Sequence, residues 1–393
     1  MELTGFRFDN GKLDILLKGH VDSANASEVE KEINDIREAN PASETLIDAS
    51  ELAYISSAGL RVILRLRKEI PDLKLINVSS DVYEIFDMTG FTEMMEVRKA
   101  YRVISVEGCE VIGQGANGKV YRIDPDTIVK VYLDPDSLPD IQRERELARK
   151  AFVLGIPTAI PYDVVRVGDG YGSVFELLNA KSLAKLIKEG LSTVDEVVDM
   201  SVDLLKKIHG TLVKPGEMPD CRETVLGWAA FLKDYLPKDE ADKLYSLVEA
   251  VPHDDHMMHG DYHIKNVMLQ NGEVLLIDMD TLCVGNPVFE FGSIFNAYQG
   301  YSEYDHSVVQ EFLGIPYETS TEIWNKTLRR YFDGADEAFL KTAAEKAMLV
   351  GYTRMMRRLI RRGGLETERG RAEIELFRGH ISDLLTRVDT LVF

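Results

Sequence analysis

The chain is poor in cysteine and tryptophan, and it has no long apolar run. Its 393 residues include three cysteines and two tryptophans. Cys109, Cys221 and Cys283 are odd in number and far apart, which argues against a disulfide framework or a zinc site and indicates thiols in a reducing compartment. No apolar stretch reaches the roughly 18 residues of a membrane span, and the first residues lack the features of a signal peptide. We therefore expect a cytoplasmic protein that does not bind membranes.

Basic residues are also fewer than acidic residues. The chain has 46 Lys and Arg against 66 Asp and Glu, so its formal net charge is −20 and its pI is about 4.9. Such a field repels nucleic acid, and we expect no nucleic-acid partner. A hydrophobic content of 45% is typical of a globular protein, and the length predicts two or three domains.

The most informative segment runs from His259 to Asp278. It contains Asp261, a carboxylate that can orient a hydroxyl, followed five residues later by Asn266 and then by Asp278. Asn271-Gly272 lies between two apolar runs and predicts a two-residue hairpin, which would place Asn266 beside Asp278. Carboxylate and amide oxygens in this arrangement are typical of a Mg²⁺ site for phosphoryl transfer. A two-carboxylate acid/base site formed by Asp278 and Asp280 is the weaker alternative.

A glycine pattern precedes this segment. Gly113, Gly115, Gly118 and Val120 fit G-x-G-x-x-G-x-V, a loop that covers phosphates. The residues that follow predict a strand, which disfavours a dinucleotide-binding fold. A second predicted strand has Lys130 at its centre, where a lysine needs anionic partners such as nucleotide phosphates and a helix glutamate. All these residues occur in the order found in kinases.

The glutamate that pairs with Lys130 is predicted on the helix spanning residues 141–152. Glu146 is our choice, and Glu144 is the alternative. The two positions point in different directions on a helix, so that only one can reach Lys130.

Residues 103–393 resemble the aminoglycoside phosphotransferase and choline kinase-like family. The resemblance implies a two-lobed α+β protein-kinase-like domain over residues 101–393, with a β N-lobe to about residue 178 and a helical C-lobe from about 179. It implies ATP and Mg²⁺ as cofactors, with Asp261 as the catalytic residue and Asn266 and Asp278 as metal ligands. Glu176 and Leu178 would belong to the hinge that meets adenine. The acceptor would be a small-molecule hydroxyl or amine.

Residues 1–100 follow a different pattern. Short apolar runs alternate with amphipathic helical segments, which predicts a small α/β domain. Strands are expected at residues 6–8, 13–17, 45–48 and 73–78, and helices at 27–39, 58–67 and 82–88. Asn10-Gly11 predicts the turn between the first two strands.

The stretch from Asp48 to Leu60 resembles the STAS domain of anti-sigma-factor antagonists. That resemblance implies a regulatory domain with an anti-sigma-like protein partner. Ser57 occupies a position near the phosphoacceptor of that family, so it is our candidate phosphoacceptor. The simpler interpretation is that Ser56 and Ser57 cap a helix.

Two further functions stay open beside a small-molecule kinase. The kinase-like part could sense nucleotide without turnover and serve a regulatory binding module. The kinase could instead act on a protein serine such as Ser57.

A basic helix near the C-terminus has three possible roles. Its arginines either pair with nearby carboxylates, bind an anionic group of the substrate, or dock against the acidic first domain. These arginines are Arg354, Arg357, Arg358, Arg361 and Arg362.

Overall fold

The computed structural model describes residues 4–9, 11–115 and 118–393. Asn10 of the predicted turn, Ala116 and Asn117 of the glycine loop, and residues 1–3 lie outside the described residues. The chain forms two compact units. The first extends to Ser105 and includes Val164–Gly168, and the second comprises Val106–Asp163 and Asp169–Phe393.

The first unit contains a five-stranded sheet. Its strands are β1 (Thr4–Asp9), β2 (Lys12–Val21), β3 (Glu44–Ile55), β4 (Lys74–Val78) and β5 (Glu96–Lys99), and β6 (Arg102–Ile104) follows outside that sheet. Its helices are α1 (Ala26–Ala39), α2 (Ser57–Glu69), α3 (Ser80–Met88) and α4 (Phe91–Met94). The strands lie in chain order, with β1 antiparallel to β2 and the others parallel. Apolar residues of the sheet and helices form one core, which confirms the predicted α/β domain.

Strand β3 is longer than the sequence predicts. We expected residues 45–48, whereas the strand continues to Ile55. Its pairing with β2 has two register shifts, one between Leu16 and Lys18 and one between Gly19 and His20. Such shifts break the alternation of buried and exposed positions on which a strand prediction depends.

The second unit begins with an antiparallel sheet and one long helix. The elements in this part of the chain are β7 (Glu110–Gln114), β8 (Gly118–Asp124), β9 (Thr127–Tyr132), α5 (Leu138–Val153), β10 (Asp163–Val167) and β11 (Gly170–Glu176). Strands β7, β8, β9 and β11 pair in that order. Strand β10 is grouped mainly with the first unit, where it pairs in parallel with β6.

The remainder of the second unit is mainly helical, as predicted. Its helices are α6 (Leu183–Lys188), α7 (Val194–His209), α8 (Cys221–Leu232), α9 (Lys238–Glu249), α10 (Pro287–Tyr298), α11 (Ser307–Leu313), α12 (Tyr317–Tyr331), α13 (Glu337–Arg361) and α14 (Glu368–Leu385), with 3₁₀ turns at Gly300–Ser302 and Gly364–Glu366. Its short strands are β12 (Lys181–Ser182), β13 (Met257–Met258), β14 (Val267–Gln270), β15 (Glu273–Leu276) and β16 (Cys283–Val284). Among the described residues, no helix combines the length and apolarity needed to cross a bilayer.

Helices α10 and α13 approach each other closely through two glycines. A Cβ atom added to Gly351 would lie 2.6 Å from Phe295 Cδ1 and 3.0 Å from the carbonyl oxygen of Gly292. Only a residue without a side chain fits at this crossing. The close approach lets Arg354 of α13 donate a hydrogen bond of 2.8 Å to Ser293 of α10.

We predict that Gly351→Ala lowers the free energy of unfolding of the second unit by roughly 1–3 kcal/mol, because overpacking forces the two helices apart. Gly379→Ala is the matched control. It lies within α14 with no heavy atom within 4 Å of the added Cβ, so it should stabilise by about 0.5–1 kcal/mol. Urea denaturation followed by tryptophan fluorescence reports on the second unit, since Trp228 and Trp324 both lie there. Equal effects of the two alanines would contradict the packing argument.

Candidate functional site

Lys130 on β9 lies at the centre of the site. Its ammonium group donates hydrogen bonds to both carboxylate oxygens of Glu144, at 3.0 and 3.1 Å, and to Asp278 Oδ1 at 2.8 Å. Burial by itself lowers the pKa of Lys130, but the charges of Glu144 and Asp278 outweigh it and raise that pKa above its ordinary value. Lys130 is therefore a fixed cation, and it links the strand to α5 and to the segment that follows β15.

The prediction that Glu146 pairs with Lys130 is wrong. Glu144 is the partner, with a side chain only 6% exposed, whereas Glu146 is 66% exposed and pairs with Lys150 one turn later. The buried positions of α5 include Ile141, Glu144 and Ala148, spaced three and four residues apart as on one helix face. This periodicity was available in the sequence and favours Glu144.

Tyr132 belongs to the same cluster. Its hydroxyl donates a 2.5 Å hydrogen bond to Glu144 Oε2 and lies 3.4 Å from Ser173 Oγ. Burial, followed by the charge of Glu144, raises the pKa of the Tyr132 phenol. The phenol therefore keeps its proton and acts as a donor that orients Glu144 towards Lys130. Tyr132 and Lys130 are two residues apart on one strand, so they share a face.

The predicted hairpin brings Asn266 next to the residues around Asp278. Strands β14 and β15 pair in register, with Asn271 and Gly272 both at positive φ in the turn. The amide of Ile277 donates to the carbonyl of Asn266 at 2.9 Å. Asp278 itself has a φ of 64°, a left-handed conformation that is uncommon for residues other than glycine and that recurs at functional positions.

Asp261 lies in a loop between β13 and β14, with its carboxylate held from two sides. Ser293 Oγ and Arg354 Nη2 each lie 3.4 Å from Oδ1, and His263 Nε2 lies 3.7 Å from Oδ2. Burial alone raises the pKa of Asp261, but His263 and then the charge of Arg354 hold that pKa well below its usual range. The side chain is 43% exposed, so an ionised carboxylate is open to a ligand.

Glu290 forms hydrogen bonds with the backbone of this loop. It is fully buried, and its carboxylate accepts hydrogen bonds from the amides of His259 at 2.6 Å and Gly260 at 3.0 Å. Burial raises the pKa of Glu290. The hydrogen bond and charge of His209 are the largest of the opposing effects, and together these effects lower the pKa of Glu290 below its ordinary value. His259 completes the support, since its Nδ1 accepts from the Asp261 amide at 3.3 Å and its Nε2 donates to the Ile277 carbonyl at 3.2 Å.

The glycine pattern forms the hairpin of β7 and β8. The amide of Gly115 donates to the carbonyl of Gly118 at 2.9 Å. A Cβ on Gly118 would lie 2.4 Å from a backbone oxygen of β9, whereas one on Gly115 would meet no atom within 4 Å, and one on Gly113 would touch Val120 at 3.6 Å. Val120 pairs across the ladder with Lys130. Val120 therefore lies beside Lys130 on the same face of the sheet.

The predicted hinge lies at the end of β11. Glu176 is the last residue of this strand and is exposed. The amide of Leu177 donates to the carbonyl of Asp126 at 2.7 Å. In the described part of the chain, the amide of Leu178 has no backbone partner of this kind, which leaves it available to a ligand.

The residues around Asp278 suit a hard cation. Asn266 donates through Nδ2 to the carbonyl of Asp261 at 3.1 Å, which directs its oxygen away from that contact. Burial and then the charge of Asp278 raise the pKa of Asp280 to about 7, so these two carboxylates lie close enough to repel each other. Carboxylate and amide oxygens are donors that fit Mg²⁺. No group of three His, Cys, Asp or Glu side chains among the described residues forms a complete metal cage, as expected where phosphate oxygens supply further ligands.

Fold and site define an enzyme of the kinase-like phosphotransferase class. A model of the phosphotransferase enzyme family APH matches residues 108–317, more than half of the chain, and the chain belongs to that family. A crystal structure of a thermostable mutant of aminoglycoside phosphotransferase APH(4)-Ia has a similar fold, with a TM-score of 0.50, 13% identity, and coverage of 71% of this chain and 94% of that one.

The first unit contains a STAS domain, whose family model matches residues 7–103. It is 36% identical over 101 residues to the "Putative anti-sigma factor antagonist BtrV" of Bordetella bronchiseptica, covering 25% of this chain and 85% of that protein. It is 28% identical over 94 residues to the anti-sigma-B factor antagonist of Listeria monocytogenes, covering 23% of this chain and 82% of that protein.

Sequence reasoning gave no role in the site to several residues that the structure places there. Tyr132 and Ser293 had no distinctive pattern, and Arg354 was only one arginine of a basic helix. Glu290 is identified only by the structure, through its contacts with the loop amides. Long-range packing brings these residues together.

We predict that Glu144→Gln lowers the free energy of unfolding by about 1.5–3 kcal/mol, because it weakens a buried, charge-assisted hydrogen-bond network. Glu146→Gln is the matched control and should change the free energy of unfolding by less than about 0.5 kcal/mol, since exposed ion pairs contribute little. Urea denaturation followed by tryptophan fluorescence compares the two. A larger effect at Glu146 would reverse our assignment of the Lys130 partner.

Proposed function

We propose that the second unit transfers the γ-phosphoryl group of ATP to a hydroxyl or amine of a small molecule. The observation that carries the proposal is the set of contacts that joins Lys130, Glu144 and Asp278, together with Asp261 and Asn266 on the adjoining loop. Membership of the phosphotransferase family gives the reaction class. ATP, Mg²⁺ and the roles of the individual residues are our inference.

Asp261 is the residue that receives the acceptor. Its carboxylate accepts a hydrogen bond from the acceptor hydroxyl and points the oxygen at the γ-phosphorus. As the new P–O bond forms and the bond to the ADP oxygen breaks, the acceptor proton passes to Asp261 and then to water. A carboxylate with a low pKa is a weak base, which suits a loose transition state in which the proton leaves late.

Lys130 and the metal ligands act on the phosphates. Lys130 neutralises phosphate charge and is kept in place by Glu144, whose own position is fixed by Tyr132. Asn266 and Asp278 would hold Mg²⁺, which neutralises charge on the β- and γ-phosphate oxygens when bound. The hairpin carrying Gly113, Gly115, Gly118 and Val120 would cover the phosphates, and the backbone around Glu176 and Leu178 would meet adenine.

We expect Asp261→Asn to lower acceptor-dependent release of ADP by about 10²–10⁴-fold, because the proton acceptor is lost. The binding of ADP with Mg²⁺ should be retained, since Lys130 and Asp278 are unchanged. Asp242→Asn, on an exposed position of α9, is the matched control and should leave turnover unchanged.

The assay follows ADP release with a panel of hydroxyl- and amine-bearing metabolites, with ATP hydrolysis by water as the baseline. Turnover by Asp261→Asn equal to that of the wild type would remove Asp261 from its role. Chelation of Mg²⁺ should abolish turnover in every variant.

We also propose that the STAS domain binds an anti-sigma-like protein partner, because its relatives are named as anti-sigma factor antagonists. Ser57 is the first residue of α2 and is exposed, while Ser56 caps the helix by accepting from the amides of Ala58 at 3.2 Å and Gly59 at 3.5 Å. The capping role thus falls to Ser56. A phosphate on Ser57 would lie at a helix N-terminus, where negative charge is tolerated.

The intact mass after incubation with ATP and Mg²⁺ distinguishes a metabolite kinase from one that acts on its own Ser57. We expect an unchanged mass, because His263 lies two residues after Asp261, where small-molecule kinases of the resembled family have histidine and protein serine/threonine kinases usually have lysine. A gain of one phosphate that is lost in Ser57→Ala would assign a protein substrate instead.

A further inference from the structure

Four arginines form a line along α13 that begins at the proposed catalytic residue. Arg354, Arg357, Arg358 and Arg361 are spaced three, four and seven residues from the first, so they lie on one face of the helix. We call this set the arginine stripe. Helix α13 lies beyond the residues 108–317 that the family model matches, so the stripe is a feature of this chain outside the matched region.

The near end of the stripe contacts the catalytic loop. Arg354 donates hydrogen bonds to the carbonyl of Gly260 at 3.1 Å and to Ser293 Oγ at 2.8 Å, and it lies 3.4 Å from Asp261. Its guanidinium is 5.7 Å from the ring centre of Trp228. The stripe therefore begins where the acceptor hydroxyl would be held.

The middle of the stripe also has an aromatic neighbour. Arg358 Nη1 donates to the hydroxyl of Tyr301 at 2.9 Å, and its guanidinium is 5.4 Å from the Tyr301 ring centre. Trp228 and Tyr301 thus both contact arginines of the stripe. Aromatic rings beside guanidinium groups are a common lining for organic ligands.

Counter-charge at the stripe lies at its near end, where Arg354 is 3.4 Å from Asp261. By comparison, Arg330 of α12 has two carboxylate partners, Asp199 and Asp203. Among the described residues, no carboxylate lies within 4 Å of Arg357, Arg358 or Arg361, although acidic residues outnumber basic ones by 66 to 46 in the whole chain. Burial and the charge of Arg361 lower the pKa of Arg357.

A partly buried cation next to a like charge raises the free energy of the protein unless an anion binds there. Arginine pairs are well suited to such an anion, because the guanidinium group donates two parallel hydrogen bonds to a carboxylate or phosphate. A cationic acceptor would instead meet the positive charges of Arg357, Arg358 and Arg361 along the same helix face as Arg354. The charge of the site therefore discriminates between classes of acceptor.

We propose that the acceptor is an organic anion, a hydroxyl- or amine-bearing compound with a carboxylate or phosphate group. Its anionic group binds Arg357 and Arg361, and its hydroxyl lies at Asp261. The proposal rests on the proposed phosphotransferase function and adds the class of substrate to it.

The test uses the full-length protein with its nucleotide site saturated by ADP and Mg²⁺. Inorganic sulfate is titrated by calorimetry into the wild type, the double variant Arg357→Gln/Arg361→Gln, and the control Arg378→Gln, whose arginine pairs only with Glu375 on its own helix. We expect sulfate to bind the wild type and the control alike, and at least about tenfold more weakly to the double variant. Arg357→Lys/Arg361→Lys should recover part of the binding, since it restores the charge.

A second arm measures ADP release with matched acceptors. The pairs are glycerate with glycerol and gluconate with glucose, and the cations are choline and kanamycin. We expect turnover with anionic members, and a KM for them that rises by about tenfold or more in the double variant with kcat changed by less than about threefold. A change in KM at constant kcat indicates lost binding and is not the signature of a damaged fold.

Two results would overturn the proposal. One is sulfate binding that is undetectable in the wild type or equal in the double variant. The other is turnover of a neutral or cationic acceptor whose KM the double variant leaves unchanged. Failure of the proposed function looks different, because ADP with Mg²⁺ would then fail to bind and no acceptor would release ADP, whatever the result with sulfate.

Discussion

The ion cluster around Lys130 is the interaction on which the rest of the site depends. One partly buried ammonium group contacts a helix carboxylate and a carboxylate from the segment after β15, so three separate parts of the chain meet at one point. The desolvation of three charged groups opposes this arrangement, and the mutual attraction of the charges together with the Tyr132 hydroxyl offsets it. This cluster fixes the relative positions of β9, α5 and the β14–β15 hairpin. It leaves Asp278 accessible at the edge of the cluster.

A second layer of buried polar contacts sets the catalytic loop. The Glu290 carboxylate accepts hydrogen bonds from the backbone amides of the loop. Arg354 and Ser293 contact the Asp261 carboxylate. The close crossing of α10 and α13 makes the second set of contacts possible, because two glycines let the helix backbones approach. The same helix that orients Asp261 carries the arginine stripe, so positioning of the catalytic residue and recognition of the acceptor share one element.

Much of this could be predicted from local pattern. The Asn271-Gly272 turn and the apolar runs beside it specify the hairpin, and the hairpin alone brings Asn266 close to Asp278. Alternation of strands and helices specifies the α/β character of the first unit. The glutamate on α5 shows the limit of the spacing argument, since spacing along the chain favoured Glu146 while the buried face of the helix selects Glu144. The extent of β3 was missed because register shifts remove the alternation that a strand prediction needs.

The sequence by itself determined the reaction class, because hairpin turns, glycine patterns and the order of lysine, aspartate and asparagine are local or ordered features of the chain. Only the tertiary structure decided what Glu290 supports and where the arginine stripe begins. Those answers depend on contacts between residues 30 to 94 positions apart, for which no periodicity exists in the chain. The charge balance at a site likewise depends on the tertiary structure, because an arginine is paired only if the fold places a carboxylate close to it.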